Sequence, residues 1–150
     1  MKIEFRDVKA QDFARCIEIR GMTRDNPVPA EILKEFGVTE EAWGPLIGDK
    51  SIVGVVAESK NEVIGFCSGD VNTGEVLVLA LLPEYEGLDI GKRMLELVAK
   101  KLFALGIDKL WLAASPDPAI RAHGFYRYLG WVPTGVIDTN GDEVLEYKKT

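Results

Sequence analysis

The chain has 150 residues, and its 18 lysines and arginines against 24 aspartates and glutamates give a formal net charge of −6. Hydrophobic residues make up 47% of the chain and charged residues 28%, and a chain of this length and composition can bury one sizeable core. Intrinsic disorder is therefore excluded as the default, and one domain over residues 1–150 is expected. The acidic balance also argues against a nucleic-acid ligand, because phosphate contacts need clustered lysine and arginine.

The cysteine content and the apolar runs indicate the compartment. Cys16 and Cys67 are too few and too far apart for a disulfide framework, so a reducing compartment is the simpler assumption. The start of the chain alternates charged and apolar residues and lacks the continuous apolar stretch of a signal peptide. No run approaches the roughly 18 apolar residues that cross a bilayer. We therefore expect a cytoplasmic protein without membrane contact.

The first half of the chain alternates short β-rich runs with helical patterns. Prolines and glycines interrupt residues 24–48, so this segment is interpreted as a cap outside the core. The last run of this half is almost continuously apolar, which is typical of a strand buried on both faces. The predicted elements are, in chain order, a strand at residues 3–5, a helix from Asp12 to near Gly21, short helices around 30–36 and 39–47, and strands at 52–57, 63–68 and 76–82.

The second half begins with helical periodicity at Ile90. Apolar residues recur there at helical spacing, with charged residues on the opposite face. The dipeptide Asn140-Gly141 predicts a two-residue hairpin turn. The predicted elements are a helix at 90–105, a strand at 110–114, a helix at 119–129 and strands at 131–137 and 143–147.

The turn before the helix at Ile90 is the most informative segment. It follows an apolar strand and a proline and contains Gly87, Asp89 and Gly91. A helix that begins after such a turn offers free N–H groups and the positive end of its dipole to an anion. The Asp89 side chain is also in position to cap this helix. The dinucleotide and P-loop motifs both fail on glycine spacing. A plain tight turn between strand and helix is the alternative interpretation.

Two motifs carry a family resemblance. Residues 83–92, PEYEGLDIGK, resemble the acyl-CoA loop of the GCN5-related N-acetyltransferase (GNAT) superfamily, Q/R-x-x-G-x-G/A, with Glu86 at the Gln/Arg position and Asp89 and Gly91 at the glycine positions. Residues 124–131, GFYRYLGW, match the family's second motif, an aromatic-tyrosine helix end followed by Leu-Gly and an aromatic residue.

The resemblance implies an α/β (α+β) fold of the GNAT type. This fold has a mixed, mostly antiparallel central sheet of about seven strands, flanked by about four helices. The fourth and fifth strands splay apart to admit acyl-CoA, and a bulge in the fourth strand frees backbone groups. The same resemblance assigns residues 1–150 to a single N-acetyltransferase domain.

The implied function is transfer of an acetyl group from acetyl-CoA, a co-substrate, to a primary amine by direct attack in a ternary complex. The acceptor is a small-molecule or peptide amine, and residues 22–48 form part of its side of the site. Many such proteins form homodimers, and the sequence leaves this open. The alternative is a catalytically weak acyl-CoA-binding or regulatory module of the same fold, suggested by the carboxylates of Glu86 and Asp89 near an anionic cofactor. A scaffold that binds no CoA is a third option.

The resemblance also implies roles for individual residues. Tyr126 protonates the leaving thiolate, and an N–H near Leu81 polarises the thioester carbonyl. Glu75 is the first candidate for the general base, acting through water, and Asp70 is the second. The residues expected to bind the cofactor are Leu79, Ala80, Leu81, Glu86, Gly87, Leu88, Asp89, Ile90, Gly91, Lys92 and Tyr126.

A metal site and a nucleophilic triad are both disfavoured. His123 is the only histidine, so a zinc site would need Cys16, Cys67 and a carboxylate from remote segments. Ser68 lies in GFCSG, which does not match G-x-S-x-G. We therefore expect no metal.

Overall fold

The computed structural model describes residues 2–25 and 27–149. Every predicted strand and helix is present within a few residues of its predicted bounds. In chain order the described elements are β1 (Glu4–Asp7), α1 (Phe13–Arg20), α2 (Ala30–Glu35), α3 (Glu40–Gly48), β2 (Ile52–Ser59), β3 (Glu62–Asp70), β4 (Val76–Leu81), α4 (Ile90–Ala104), β5 (Lys109–Ala114), α5 (Arg121–Tyr128), β6 (Val132–Ile137) and β7 (Glu143–Lys148).

The strands form two antiparallel sheets, with the orders β1-β2-β3-β4 and β5-β7-β6. In the described part of the chain a single parallel bridge, between Glu75 and Trp111, joins them. The mixed, mostly antiparallel architecture is as predicted. The central sheet is divided because β4 and β5 diverge beyond that bridge.

The core lies where helices cover the first sheet. Helix α4 packs on β2, β3 and β4, and α1 contacts β3 and β4. Consecutive residues of β3 are buried, so both faces of this sheet are covered. The apolar stripe of α4 lies in this core, as the periodicity predicts, and its buried members include Met94, Leu95, Val98 and Leu102.

Strand β4 differs from its prediction as a strand buried on both faces. Four of its residues, Leu77, Val78, Leu79 and Leu81, are only partly buried. The reason is its position, since β4 is an edge of the first sheet and faces the gap that opens toward β5. Hydropathy does not distinguish such a strand from a central one, because both are built from apolar residues.

The hairpin predicted at Asn140-Gly141, between β6 and β7, also differs from its prediction. The loop between β6 and β7 is longer than the expected two-residue turn, since Asp138 N–H donates to Asp142 C=O at 2.8 Å and Gly141 N–H donates to Asp138 C=O at 3.1 Å. Gly141 alone takes the left-handed conformation in this loop, with φ of 84°. The Asp138 carboxylate stabilises the longer loop by accepting from the N–H groups of Asn140 and Asp142, each at 2.9 Å.

The segment predicted as a cap forms α2 and α3. It is mostly exposed, and Leu33 and Ile47 anchor it in the core. Trp43 stacks on Phe13 with ring centroids 5.0 Å apart. No helix within the described residues combines the length and apolar character that crossing a membrane requires.

Candidate active site

A bulge in β4 lies at the start of the gap between the two sheets. Ser68 pairs with Val78 and Gly69 pairs with Val76, so Leu77 is an extra residue on β4. The predicted bulge is therefore present. Beyond the Glu75–Trp111 bridge, no described strand pairs with the β5 side of β4. The backbone of residues 77–81 is thus available to a ligand that enters the gap.

The gap is part of a cavity of about 410 Å³, a volume typical of small-molecule sites. Its walls come from β4, the turn before α4, the end of β5 and α5. Nearly all of the predicted site residues line it, although they come from three separate segments. Those that do are Leu79, Ala80, Leu81, Glu86, Gly87, Asp89, Ile90, Gly91, Lys92 and Tyr126.

Glu75, Leu88 and the second candidate base, Asp70, are the predicted site residues outside this lining. Leu88 is exposed on the turn. Glu75 lies immediately before β4, where its C=O accepts from Asp70 N–H at 2.9 Å. Burial, together with the carboxylates of Asp70 and Asp138, raises the pKa of Glu75 above its ordinary value. A raised pKa suits a general base. Because Glu75 lies outside the cavity lining, its carboxylate needs an intervening water to reach a ligand in the cavity.

The turn before α4 exposes the helix N-terminus to the cavity. Gly87 and Asp89 both take the left-handed conformation, with φ of 79° and 61°. Asp89 tolerates it because aspartate is one of the few residues that do so at low cost. Its side chain makes no capping hydrogen bond, contrary to the expectation. Arg93 N–H donates to Asp89 C=O at 3.0 Å, and helix geometry leaves the three preceding N–H groups free for an anion.

The space beside this helix end fits the approach of a ligand. A Cβ built on Gly91 would meet only Phe125 Cζ, at an ordinary 3.7 Å, and one built on Gly87 would meet nothing within 4 Å. The protein itself therefore leaves room above these backbone groups. That room is what the diphosphate of CoA would need.

Glu86 does not present a bare carboxylate to this region. Its Oε2 accepts from Arg24 Nη2 at 2.5 Å and from Arg121 Nη1 at 3.2 Å. Asp25 Oδ2 in turn accepts from the backbone N–H of Arg121 at 3.1 Å. Sequence reasoning missed both arginines, because they lie 62 and 35 residues from Glu86 and belong to no local spacing.

Tyr126 lies on α5 with its ring edge-to-face against Phe125, at a centroid distance of 5.3 Å. Burial and the nearby Cys67 thiol raise the pKa of the Tyr126 phenol, and the Arg20 guanidinium opposes them. The phenol therefore keeps its proton at neutral pH. Arg20 also lines the cavity, and burial lowers its pKa. No spacing in the sequence marked Arg20 as part of the site.

The described residues contain no group of three or more His, Cys, Asp and Glu side chains that could hold a metal ion. His123 instead lies near Glu143, with Nε2 and Oε2 3.9 Å apart. The same carboxylate accepts from Arg127 Nη2 at 2.7 Å. This cluster joins α5 to β7.

Comparisons with known proteins agree with this geometry. The structure superposes on that of the PaiA N-acetyltransferase from Thermoplasma acidophilum in complex with coenzyme A, with a TM-score of 0.82 and 23% identity over 99% of this chain and 100% of that one. It also resembles the ribosomal-protein-S18-alanine N-acetyltransferase from Escherichia coli, with a TM-score of 0.68 and 17% identity over 97% and 91% of the two chains. A third similar structure is YncA from Salmonella typhimurium with acetyl-CoA, with a TM-score of 0.72 and 15% identity over 99% and 94%.

At these identities the structures establish a shared fold. A search of curated protein sequences found no match. Residues 16–131, which form most of the chain, match the acetyltransferase (GNAT) family. The chain therefore belongs to the GNAT family of acetyltransferases.

Proposed function

We propose that this protein transfers an acetyl group from acetyl-CoA to a primary amine by direct attack in a ternary complex. The observation that carries the proposal is the single cavity into which β4, the turn before α4 and Tyr126 all open. These are the parts that the reaction needs: a backbone edge, an anion site and a proton donor.

The chain's own backbone would hold the co-substrate. Acetyl-CoA supplies an acyl group activated as a thioester. The open edge at residues 79–81 would bind its pantetheine arm, and the N–H groups at the start of α4 would bind its diphosphate. An N–H near Leu81 would polarise the thioester carbonyl, and a donor placed in this way lowers a barrier by up to about 3 kcal/mol in other enzymes.

Two side chains would move the protons. Glu75 would accept a proton from the amine through a water, since a protonated amine has no lone pair with which to attack. The N–C bond then forms, the C–S bond breaks, and Tyr126 gives its proton to the leaving sulfur. The nitrogen, which still carries one proton too many, releases it to water to give the neutral amide. The Tyr126 phenol is protonated at neutral pH and lines the cavity, as the second role requires. Proton exchange with solvent restores both groups.

The acceptor remains a primary amine of a small molecule or a peptide. One structure of similar fold is named for the alanine of a ribosomal protein, so the fold is compatible with a peptide acceptor. The second candidate function is a catalytically weak acyl-CoA-binding or regulatory module. The carboxylate of Asp89 in the cavity lining is the observation that favours it, whereas that of Glu86 is paired with Arg24 and Arg121.

A cytoplasmic location and a single domain over residues 1–150 belong to the same proposal. Both cysteines, Cys16 and Cys67, are buried free thiols. Free buried thiols suit a reducing compartment.

Calorimetric titration and a thiol-release assay test the proposal together. We expect acetyl-CoA and CoA to bind, and a panel of amines to include some that accelerate release of the CoA thiol. Binding without amine-dependent release would favour the regulatory module. Absence of binding at millimolar acetyl-CoA would contradict both functions.

A further inference from the structure

We propose that Arg24 and Arg121, held together by Glu86, form a site for a phosphate group of the CoA nucleotide, an inference that rests on the proposed function. Arg24 follows α1, Glu86 precedes α4, and Arg121 is the first residue of α5. One carboxylate oxygen of Glu86 accepts from both guanidiniums, at 2.5 and 3.2 Å. All three side chains line the cavity.

The exposure of the three side chains distinguishes this cluster from an ordinary surface ion pair. The Glu86 side chain is 14% exposed, whereas those of Arg24 and Arg121 are 60% and 50% exposed. Glu86 is therefore the buried member of the cluster, and the side chains of both arginines are accessible to solvent.

The cluster keeps the donors that phosphate recognition needs. A guanidinium carries five N–H donors in a rigid fork, and the bond to Glu86 uses one on each arginine. Two guanidiniums against the carboxylates of Glu86 and Asp25 leave the cluster close to neutral, so its recognition of an anion rests on directed donors. Because the fork matches the oxygens of a phosphate, two of them held side by side favour a phosphate over a monovalent anion.

A second contact fixes the pair in place. The Asp25 carboxylate, next to Arg24 in the chain, accepts from the backbone N–H of Arg121. The segment after α1 and the start of α5 are thus tied at two points. Preorganisation of this kind reduces the conformational freedom that a ligand must otherwise remove on binding. The negatively charged Asp89 lines the same cavity. The arginines therefore attract a phosphate mainly through directed N–H donors and less through a net positive potential.

Calorimetric titration of CoA and dephospho-CoA, in a phosphate-free buffer of fixed ionic strength, tests the proposal. We expect Arg24→Gln and Arg121→Gln each to weaken CoA binding by about tenfold, as loss of a charge-assisted hydrogen bond implies. Arg93→Gln is the matched control, since Arg93 is an exposed arginine of α4 outside the cavity lining. Thermal melts of all three variants check that each is folded.

The comparison of the two ligands identifies the phosphate. If both arginine variants bind CoA no better than dephospho-CoA, the partner is the 3′-phosphate. If the variants weaken the binding of CoA and of dephospho-CoA equally, the arginines contact the diphosphate. Either result supports the site. If the wild type binds CoA and the two arginine variants lose no more affinity than Arg93→Gln does, this inference alone is overturned. If the wild type does not bind CoA, the proposed function is overturned.

Discussion

Tyr126 and Glu75, the two side chains proposed to move protons, both have a raised pKa, for different reasons. Burial and a neighbouring thiol raise the pKa of the phenol. Partial burial and two neighbouring carboxylates, those of Asp70 and Asp138, raise that of Glu75. The first shift keeps a donor protonated, and the second makes a carboxylate hold a proton more tightly than usual. Perturbed groups of this kind concentrate at functional sites.

Replacing Tyr126 with Phe removes the proposed proton donor and keeps the ring that packs on Phe125. We expect kcat to fall by about 100-fold, because a positioned acid contributes roughly that factor, with the Kd for acetyl-CoA nearly unchanged. Tyr85→Phe is the control, since Tyr85 is partly buried but outside the cavity. Turnover that survives Tyr126→Phe intact would remove the phenol from the mechanism.

Replacing Glu75 with Gln separates its catalytic role from its effect on stability. The folded-state pKa of Glu75 is raised, so its protonated form is favoured by folding, and that stability is present below the ordinary value of 4.5 and lost as pH rises through the folded pKa. Glutamine resembles the protonated form. We expect Glu75→Gln to raise the melting temperature at pH 7 while lowering kcat, and the stability difference to vanish near pH 4.

Asp70→Asn is the comparison for Glu75→Gln. If Glu75 is the base, the acidic limb of the wild-type pH profile for kcat/KM reports its titration, and that limb disappears in Glu75→Gln but persists in Asp70→Asn. The reverse pattern would transfer the role to Asp70, the second candidate.

At the scale of elements, Arg6 of β1 ties two other segments together. Its Nη1 and Nη2 donate to the two oxygens of Asp12, at 2.8 and 2.9 Å, and its Nε donates to Glu58 of β2 at 2.8 Å. Asp12 lies immediately before α1 and is buried. The forked pair thus joins the sheet edge to the helix that leads to the cap.

We expect Asp12→Asn to destabilise the protein by about 2 kcal/mol at pH 7, because it breaks a charge-assisted pair that is mostly buried. The hydrogen bonds from Arg6 hold the pKa of Asp12 below its ordinary value of 3.8. A lowered folded-state pKa gives stability that is present above 3.8 and lost as pH falls through the folded value. Denaturant unfolding at pH 7 and at pH 3 should therefore show a smaller difference at pH 3.

Glu4→Gln provides the control for Asp12→Asn. Glu4 lies on β1, the strand that carries Arg6, and pairs with Lys2 at an exposed position. Exposed pairs contribute little, so we expect its effect to be close to zero at both pH values. Equal destabilisation by the two substitutions would contradict the forked pair as the source of the effect.

The start of α4 allows a test of the carboxylate that occupies a motif glycine position. Asp89→Asn removes the charge, and asparagine also tolerates the left-handed conformation that the backbone takes there. We expect CoA to bind severalfold more tightly, as relief of a like-charge contact implies. Asp89→Ala is the comparison, because alanine removes the same charge but is strained at this φ. Weaker CoA binding by Asp89→Asn would show that the carboxylate assists the cofactor.

At the scale of the whole molecule, the predictions made from residue spacing succeeded where the cause is local. The bulge in β4 and the gathering of three segments around one cavity followed instead from the family resemblance. The buried stripe of α4, including Met94 and Val98, follows from helical spacing alone. The partial exposure of β4 does not, because it depends on the course of β5, which is remote in the chain. The Arg24–Glu86–Arg121 cluster is invisible to sequence reasoning for the same reason. Spacing within a segment carries no information on which distant side chains the fold brings to it.

The net charge of −6 and the charge of the cavity differ, and the difference decides how salt affects cofactor binding. The cavity lining holds four basic side chains, Arg20, Arg24, Lys92 and Arg121, and four acidic ones, Asp25, Glu86, Asp89 and Asp142. The lining is thus neutral, and the acidic excess of the chain lies elsewhere. Repulsion of an anionic ligand by that distant excess is screened over about 10 Å at 0.1 M salt.

Calorimetric titration of CoA between 50 and 500 mM NaCl therefore distinguishes two opposite effects of salt on the affinity for CoA. If the net charge of the chain governed binding, added salt would screen the repulsion and tighten it. We expect salt to weaken binding severalfold instead, because phosphate contacts with arginine and lysine compete with anions and dominate at short range. Arg121→Gln should then show a shallower salt dependence than the wild type, and Arg93→Gln should not. Tighter binding at high salt would mean that the acidic surface, and not the cavity, controls access of the cofactor.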